Sequence, residues 1–197
     1  ASDVYKRQVE RDDFVGPEAV IVLGGDGTLT SIAHSVDDRT LVMGVNSHPM
    51  DGGGGGSFGF FMGSDPTRFP LDLDHLLRGS CIINTIPRLQ AEIMSTSGNI
   101  IRSDPALNDL LVANTHQYQP SKYRLKRASN PNYPELDVRQ SSSGLLFSTF
   151  LGQGAWFRHV VDLSMFEFSM SEVNDHYLVV SRDCLLYTSD AADDRYR

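Results

Sequence analysis

The motif GGDGT, at Gly24–Thr28, constrains what this chain can fold into more than any other feature of its sequence. Residues 19–23, AVIVL, precede it as a short, β-branched apolar run, which is typical of a buried strand in a parallel sheet. Apolar residues at helical spacing follow it, namely Leu29, Ile32, Ala33 and Val36. Residues 40–46, TLVMGVN, predict a second buried strand. The sequence therefore predicts a βαβ unit within a doubly wound, Rossmann-like α/β region.

The residue types in GGDGT indicate a phosphate site. Glycines allow positive φ angles and close approach of a ligand to the backbone. The start of the following helix offers unpaired N–H groups and the positive end of a dipole. A carboxylate is unusual at such an anion site, so Asp26 could accept a proton from an attacking hydroxyl or hold Mg²⁺. Thr28 could cap the helix or bind phosphate. The alternative is a tight strand-to-helix turn in which Asp26 is only a cap.

The pattern changes after about residue 80. Residues 72–78 predict a short helix that Gly79 would cap. Beyond it the chain contains short apolar or alternating segments separated by turn formers, including residues 89–93, 110–113, 122–127 and 144–150. We therefore expect a mainly antiparallel β-sandwich domain over residues 81–183, after an α/β domain over residues 9–80. Trp156 is expected to anchor the core of the second domain.

Composition excludes several classes of protein. The net charge of −8 argues against a nucleic-acid partner but not against a local phosphate site. No apolar run is long enough to span a membrane and no secretory signal is visible, so we expect a cytoplasmic protein without a membrane partner. The two cysteines lie far apart, and the six histidines are scattered. We therefore predict no disulfide framework and no metal ligands among the residues.

The two ends of the chain share an unusual relation. Residues 3–8 read DVYKRQ and residues 184–189 read CLLYTS. One DNA string encodes the first peptide and, on its complementary strand, the second; this string is a transposon-end adapter used in sequencing. We therefore expect residues 1–8 and 184–197 to be translated adapter, and the sequence between them to be a fragment cut at both ends. Such a fragment is expected to be inactive by itself because its sheets would be incomplete.

Four further segments accompany GGDGT in a fixed order. The superfamily that GGDGT resembles comprises NAD kinases, diacylglycerol and sphingosine kinases and phosphofructokinases. The other segments are similar to those of NAD kinases, and they are GVNSHP with SFGFF (44–49 and 57–61), PRLQAEI (87–93), ALNDLLVAN with SKYRL (106–114 and 121–125), and SSSGLLFSTFLGQGAW (141–156). The SSG form within the last segment is similar to the mitochondrial-type branch and its bacterial relatives.

The resemblance to NAD kinases implies a reaction and its partners. ATP, or another phosphoryl donor, would phosphorylate the adenosine 2′-hydroxyl of NAD and give NADP, with Mg²⁺ accompanying ATP. Asp26 matches the catalytic aspartate that activates this hydroxyl. The β-rich region at 81–183 would bind NAD, and the region at 9–80 would bind nucleotide phosphates. The resemblance also implies a homo-oligomer of the full-length protein.

The resemblance further implies binding roles for ten residues. The phosphates would lie along Gly24, Gly25, Gly27 and Thr28. The NAD ribose and amide groups would be held by Asn108 and Asp109, where the commoner acid is glutamate. The dinucleotide pocket would be lined by Asn46 and Phe60. The nucleotide-binding turn of the β-rich domain would contain Thr149 and Gly152.

One departure keeps other functions open. Gln153 and Gly154 stand where the family places hydroxyl or lysine side chains, so the turn lacks phosphate donors there. The main alternative is a dinucleotide-binding protein, or a degenerate kinase that keeps the pocket without transferring phosphate. A diacylglycerol-type lipid kinase of the same superfamily is a third possibility, although the segment typical of lipid kinases is absent.

Overall fold

The structure is a computed structural model that describes residues 10–51, 54–116, 118–129, 131, 134–160 and 177–182. The expected adapter-derived ends, 1–8 and 184–197, lie outside these residues. The chain divides into two compact units, of which the first ends at Leu107 and the second begins at Asn108. The sequence analysis placed the boundary between the α/β domain and the β-rich domain earlier, after residue 80.

The first unit begins with the predicted βαβ arrangement. Strand β1 (Ala19–Gly24) leads into helix α1 (Asp26–Ile32), and strand β2 (Leu41–Asn46) follows. The two strands are parallel and in register from Ala19 opposite Leu41 to Gly24 opposite Asn46. Leu29 of the helix packs with Val22 of β1 in a buried cluster. The prediction of a parallel pair joined by a helix is therefore confirmed, but β1 is less buried than predicted: Val22 is buried, whereas Ile21 and Leu23 are 39% and 64% exposed.

Helix α1 is shorter than its apolar pattern predicts. It ends at Ile32, and Val36 is buried in the turns that follow rather than on the helix. The Asp37 carboxylate accepts hydrogen bonds from the backbone N–H groups of Arg39, at 2.9 Å, and Thr40, at 2.8 Å. These bonds hold the pKa of Asp37 below its ordinary value. They also stabilise a turn that competes with a further helical turn.

Helix α2 (Phe69–Leu77) ends as the sequence predicts. Gly79 has φ +65°, its N–H bonds Leu76 O at 3.1 Å, and the Ser80 N–H bonds His75 O at 2.9 Å. This pair of bonds is the Schellman motif, which favours glycine because the backbone turns left-handed there. The helix starts three residues before the predicted 72–78, since Pro70 is tolerated in a first turn.

The segment after α2 packs within the first unit. Strands β3 (Glu92–Met94) and β4 (Ile100–Arg102) form an antiparallel hairpin. Leu89 pairs with Ala106 beyond the open end of this hairpin. Arg88 donates to the carbonyl oxygens of Ala33 and Val36, both at 2.6 Å. A cation at a helix C-terminus stabilises the exposed carbonyls. This contact attaches the segment to the end of α1, which explains why the unit extends to Leu107.

The second unit is mainly antiparallel, as predicted. Its elements are β5 (Asp109–Val112), β6 (Ser121–Arg127), β7 (Leu136–Ser142), β8 (Gly144–Thr149), α3 (Phe157–Val160) and β9 (Tyr177–Arg182). One sheet has the order β5-β8-β9, and the other pairs β6 with β7. Neither β4 nor β7 was predicted from the sequence. Only two apolar residues alternate in LDVRQSS, which is too few to distinguish a strand from a loop.

Trp156 does not anchor the core of this unit. Its side chain is 42% exposed, and the Arg182 guanidinium lies 4.9 Å from its ring centroid. Phe157, which begins α3, and Phe150 are buried aromatics of this unit instead, together with Leu145 and Leu146 of β8. The cation over the exposed Trp156 ring contributes about 0.5–1 kcal/mol. In the described parts of both units, no helix is long and apolar enough to cross a membrane.

Candidate active site

Asp26 lies where the two parallel strands of the first unit end. Gly24 is the last residue of β1, Gly25 is the N-cap of α1 with extended backbone, and Asp26 is the first helical residue. Gly24 is in register with Asn46, so the carboxyl ends of β1 and β2 lie side by side. In open α/β sheets this edge is where ligands bind.

The Asp26 carboxylate is held by the segment Ser57–Phe61. Its Oδ1 accepts the Phe61 N–H at 2.8 Å, and its Oδ2 accepts the Phe60 N–H at 3.0 Å and the Ser57 hydroxyl at 3.4 Å. A carboxylate offers about four lone-pair positions, so these three described donors leave capacity for a ligand proton or cation. All three donors come from another segment, so the side chain is not a plain helix cap.

The backbone at the start of α1 is largely satisfied within the protein. The Asp26 N–H donates to Ser57 Oγ at 3.3 Å. The Thr28 and Leu29 N–H groups both return to Gly25 O, at 3.0 and 3.3 Å. The prediction that Thr28 caps the helix is therefore wrong, because Gly25 takes that position and Thr28 is an exposed residue of the first turn. The expectation of unpaired N–H groups is also wrong at Asp26, Thr28 and Leu29.

The three glycines of the motif differ in their surroundings. A Cβ on Gly24 would overlap the Thr28 hydroxyl, and a Cβ on Gly25 would lie 2.7 Å from Ser57 Oγ. A Cβ on Gly27 would meet nothing within 4 Å. None of the three adopts a positive φ, so that part of the prediction is wrong. Close packing explains Gly24 and Gly25, whereas the structure gives no internal reason for Gly27.

Asn46 contacts the segment Ser57–Phe61 through its side chain, whereas Phe60 is a member of that segment. Asn46 is buried; its Nδ2 donates to Ser57 O at 2.9 Å, and its Oδ1 accepts the His48 N–H at 3.3 Å. The Phe60 side chain is exposed, although its backbone N–H binds Asp26. A cavity of about 220 Å³ adjoins Asn46, with Phe58, Met62 and Arg68 among its lining residues. Asn46 thus both fixes the segment and borders a cavity.

Asn108 and Asp109, in the second unit, each have a buried side-chain oxygen that has no partner among the described residues. The Oδ1 atoms of both side chains are buried and accept no hydrogen bond from any described residue. Leaving such an atom unsatisfied costs about 1–3 kcal/mol, so proteins rarely keep one without a reason. A polar ligand that donates to these oxygens would remove the cost. The two atoms are therefore the strongest indication of a binding site in this unit.

The ionisation of Asp109 follows from its surroundings. Burial raises the pKa of its carboxyl above the ordinary value, while hydrogen bonds from the Ser148 hydroxyl and the Trp156 backbone N–H act in the opposite direction. Ser148 is fully buried and directly opposite Asp109 in the β5–β8 pair. Burial is the larger effect, so the carboxyl holds its proton to a higher pH than a free aspartate does.

The turn after β8 packs on the backbone of Asn108. The Thr149 N–H donates to Asn108 O at 2.9 Å, and Thr149 Oγ1 accepts the Gly152 N–H at 2.9 Å. A Cβ on Gly152 would lie 2.5 Å from Asn108 O and 2.6 Å from its Cα. The structure therefore brings Asn108, Thr149 and Gly152 together, with Asp109 next in the chain, although the sequence analysis assigned them to two different binding roles.

Two serines in these sites were missed by sequence reasoning. Ser57 bonds both the amide and the carboxylate of Asp26, and Ser148, directly opposite Asp109 in the β5–β8 pair, lowers the pKa of that carboxyl against the effect of burial. Ser57 begins the SFGFF segment, so its place in a motif was the available signal. No pattern distinguishes Ser148 from other strand serines. In the described ranges, no three His, Cys, Asp or Glu side chains cluster as metal ligands.

Two curated proteins are similar in sequence. A probable NADH kinase from Oryza sativa subsp. japonica is 27% identical over 161 residues, which cover 75% of this chain and 48% of that protein. An NAD kinase from Halorhodospira halophila (strain DSM 244 / SL1) is 27% identical over 158 residues, which cover 78% of this chain and 47% of that protein. The chain thus spans about half the length of the curated relatives it matches. No protein-family model matches it.

Two solved structures are similar in fold. Yeast NADH kinase complexed with NADH has a TM-score of 0.64 at 15% identity, and the match covers 89% of this chain and 47% of that one. An NAD kinase from Archaeoglobus fulgidus in complex with ATP has a TM-score of 0.58 at 15% identity, covering 85% of this chain and 57% of that one. The fold is therefore shared with these kinases, which confirms the predicted α/β region followed by antiparallel β structure.

Proposed function

We propose that the protein belongs to the NAD kinase family and phosphorylates the adenosine 2′-hydroxyl of NAD, with ATP or another phosphoryl donor, to give NADP. The observation that carries this proposal is the Asp26 carboxylate, fixed by three hydrogen bonds at the carboxyl ends of two parallel strands. The names of the relatives and structural neighbours support the choice of NAD and ATP. The SSG form at 142–144 supports the mitochondrial-type branch.

Asp26 acts as the general base in this proposal. The 2′-hydroxyl attacks the terminal phosphorus of the donor, an O–P bond forms, and the bond from phosphorus to the donor oxygen breaks. Asp26 takes the hydroxyl proton, and ATP leaves as ADP. Phosphoryl transfer depends mainly on positioning and charge neutralisation, so a carboxylate fixed in advance is suited to it. The hydrogen bonds from Phe60 and Phe61 supply that fixed position.

The donor phosphates are proposed to lie along Gly24, Gly25, Gly27 and Thr28. Gly27 and Thr28 are exposed, and the open space at Gly27 fits a ligand that approaches the backbone there. Mg²⁺ would enter with ATP, since it is commonly held by substrate phosphates and one or two carboxylates. The one lone-pair position that the described donors leave on Asp26 is assigned to the proton, so the donor phosphates would hold the metal in this proposal. The metal would neutralise phosphate charge.

The NAD ribose and amide groups are proposed to bind Asn108 and Asp109. Their buried Oδ1 atoms need donors, and ribose hydroxyls and a carboxamide supply them. The exposed ring of Phe60 and the cavity beside Asn46 are proposed to border the dinucleotide. Thr149 and Gly152 are proposed to belong to the nucleotide-binding turn of the second unit. We also propose a cytoplasmic homo-oligomer for the full-length protein.

One experiment separates this proposal from its alternatives. The full-length gene product is melted with NAD, NADH, ATP or diacylglycerol, and NADP formation is then measured with an NADP-specific dehydrogenase. The proposal predicts that NAD and ATP both raise the Tm and that NADP forms. Stabilisation by NAD without NADP would favour the binding protein that the altered turn at Gln153 and Gly154 suggests. Stabilisation by diacylglycerol would favour a lipid kinase.

A further inference from the structure

The turn after β8 makes its closest contact with protein backbone. A Cβ on Gly152 would lie 2.5, 2.6 and 2.7 Å from the O, Cα and C atoms of Asn108. Real Cβ atoms essentially never approach other atoms within 3.0 Å. Backbone atoms cannot move aside as the end of a flexible side chain can. The contact therefore exists only because residue 152 is glycine.

We infer that Gly152 is a positioning residue for Asn108, and that it serves NAD binding through this backbone contact rather than by touching the nucleotide itself. This inference rests on the proposed function of Asn108. It changes the role that the family resemblance implies for Gly152, from a residue of the nucleotide surface to the support behind the NAD-binding pair.

The surrounding hydrogen bonds agree with a supporting role. Thr149 donates its N–H to Asn108 O and accepts the Gly152 N–H on its hydroxyl, so it connects the two residues directly. Ser148 Oγ lies 3.4 Å from the same Asn108 oxygen and 3.0 Å from Thr149 O, and it can donate its one proton to either. Both Ser148 and Thr149 are buried. The backbone of Asn108 is thus fixed by the β8 end and by the turn, while its side-chain Oδ1 remains without a described partner.

The end of the same turn provides a matched control. Gly154 lies two residues after Gly152, and a Cβ there would meet nothing within 4 Å. Neither glycine has a positive φ, so alanine is compatible with both backbones. Gly152→Ala and Gly154→Ala therefore add the same methyl group, one against Asn108 and one into open space.

Steady-state kinetics of the full-length gene product test the inference. Gly152→Ala should raise the KM for NAD at least about tenfold, because small displacements of a binding group are costly. The kcat at saturating NAD and the KM for ATP should change less than about threefold, since binding of the other substrate is not disturbed. Gly154→Ala should resemble the wild type in all three constants. A rise in the KM for ATP would instead indicate a direct nucleotide contact and would overturn the inference.

A double-mutant cycle distinguishes an effect transmitted through Asn108 from a general loss of stability. If Gly152 acts through Asn108, Gly152→Ala should have little effect on the KM for NAD in an Asn108→Ala background. Additive effects would overturn the inference. Should Gly152→Ala fail to fold, Thr149→Val tests the same connection: it should raise the KM for NAD, and Thr149→Ser, which keeps the hydroxyl, should restore it. An unchanged KM in Thr149→Val would also overturn the inference.

Failure of the proposed function can be distinguished from failure of the inference about Gly152. If the wild-type protein binds NAD in the thermal-melt assay but forms no NADP, the kinase proposal fails. The same variants are then compared by their Kd for NAD, with the same expected order. If the wild type binds neither NAD nor ATP, both the proposed function and the inference are wrong.

Discussion

The backbone N–H of Phe61 donates a hydrogen bond to Asp26 Oδ1 at 2.8 Å, and this bond connects residues 35 positions apart in the chain. The neighbouring N–H, of Phe60, binds the other carboxylate oxygen. Two adjacent backbone donors therefore fix the plane of the carboxylate. The GGDGT motif and the SFGFF segment form one structural arrangement, with Asp26 as the connection between them.

Replacement of this carboxylate is expected to impair the chemical step most. Asp26→Asn should lower kcat by about a hundredfold or more, the usual scale for a positioned general base, while the Kd for NAD changes far less. Asparagine has a single side-chain oxygen and cannot accept both backbone N–H groups as the carboxylate does. The segment Ser57–Phe61 will therefore also be held less firmly. Ser57→Ala removes a contact to the carboxylate and keeps both backbone bonds, so it is the control for loosening. A kcat for Asp26→Asn within about threefold of wild type would reduce Asp26 to a structural connection.

Substitutions of two glycines of the motif should have different effects, one on protein stability and the other on ATP binding. Gly25→Ala should lower the Tm, because its Cβ would lie 2.7 Å from Ser57 Oγ. Gly27→Ala should leave the Tm unchanged or raise it, since its Cβ meets nothing and alanine is favoured in a helix by about 1 kcal/mol. It should nevertheless raise the KM for ATP several-fold if phosphates lie along this backbone. An unchanged KM for ATP would place the phosphates elsewhere.

In the first unit, the two parallel strands and the end of α2 were predictable because local sequence patterns determine them. AVIVL and TLVMGVN have the composition of buried parallel strands, and Gly79 has the conformation that a helix end requires. The end of α1 was not predictable from the apolar pattern alone. The Asp37 carboxylate stabilises a local turn through the Arg39 N–H, and Arg88, far along the chain, binds the Ala33 carbonyl. The same holds for Asp26, whose partners lie in another segment.

Asn108 should matter for NAD and not for ATP. Asn108→Ala removes an acceptor for a polar ligand group, which costs about 1–3 kcal/mol when the donor is left unpaired. The KM for NAD should rise accordingly while the KM for ATP stays near the wild-type value. Asn114→Ala is a control in the same unit, because the Asn114 Oδ1 accepts the His116 N–H in a local turn. An unchanged KM for NAD in Asn108→Ala would show that the site is misplaced.

Asp109 should make the free energy of unfolding fall as the pH rises. Its pKa is raised by burial above the ordinary value of 3.8, so the folded protein retains a proton that the unfolded chain has released. This contribution is most favourable below the ordinary value and declines as the pH rises through the raised pKa. Asp109→Asn cannot ionise and should lack the decline.

The comparison is a urea denaturation series of Asp109→Asn and wild type from about pH 3.5 to 7. The difference in the free energy of unfolding, variant minus wild type, should increase with pH. Asp37 and Asp65 have lowered pKa values and act with the opposite sign, but they are present in both proteins and cancel. A difference that stays flat or decreases would contradict the assignment.

The second unit shows where sequence reasoning loses precision. Trp156 and Phe157 are adjacent aromatic residues, and nothing in their order indicates that Phe157 is buried while Trp156 lies under Arg182. Ser148 is opposite Asp109 only because of the β5–β8 register, which the sequence does not specify. The pair Asn108–Asp109 was identified by a motif, but only the structure shows that one oxygen of each side chain is buried and has no partner in the described part of the chain.

Analysis of the reaction product tests the proposed phosphorylation of NAD. The full-length gene product is incubated with NAD, ATP and Mg²⁺, and the dinucleotide is isolated and its phosphate located by ³¹P NMR. We expect a single new monoester phosphate on the adenosine 2′-oxygen with the wild type, and almost none with Asp26→Asn. NAD recovered unchanged, from a wild-type protein that binds both NAD and ATP, would contradict the proposed reaction.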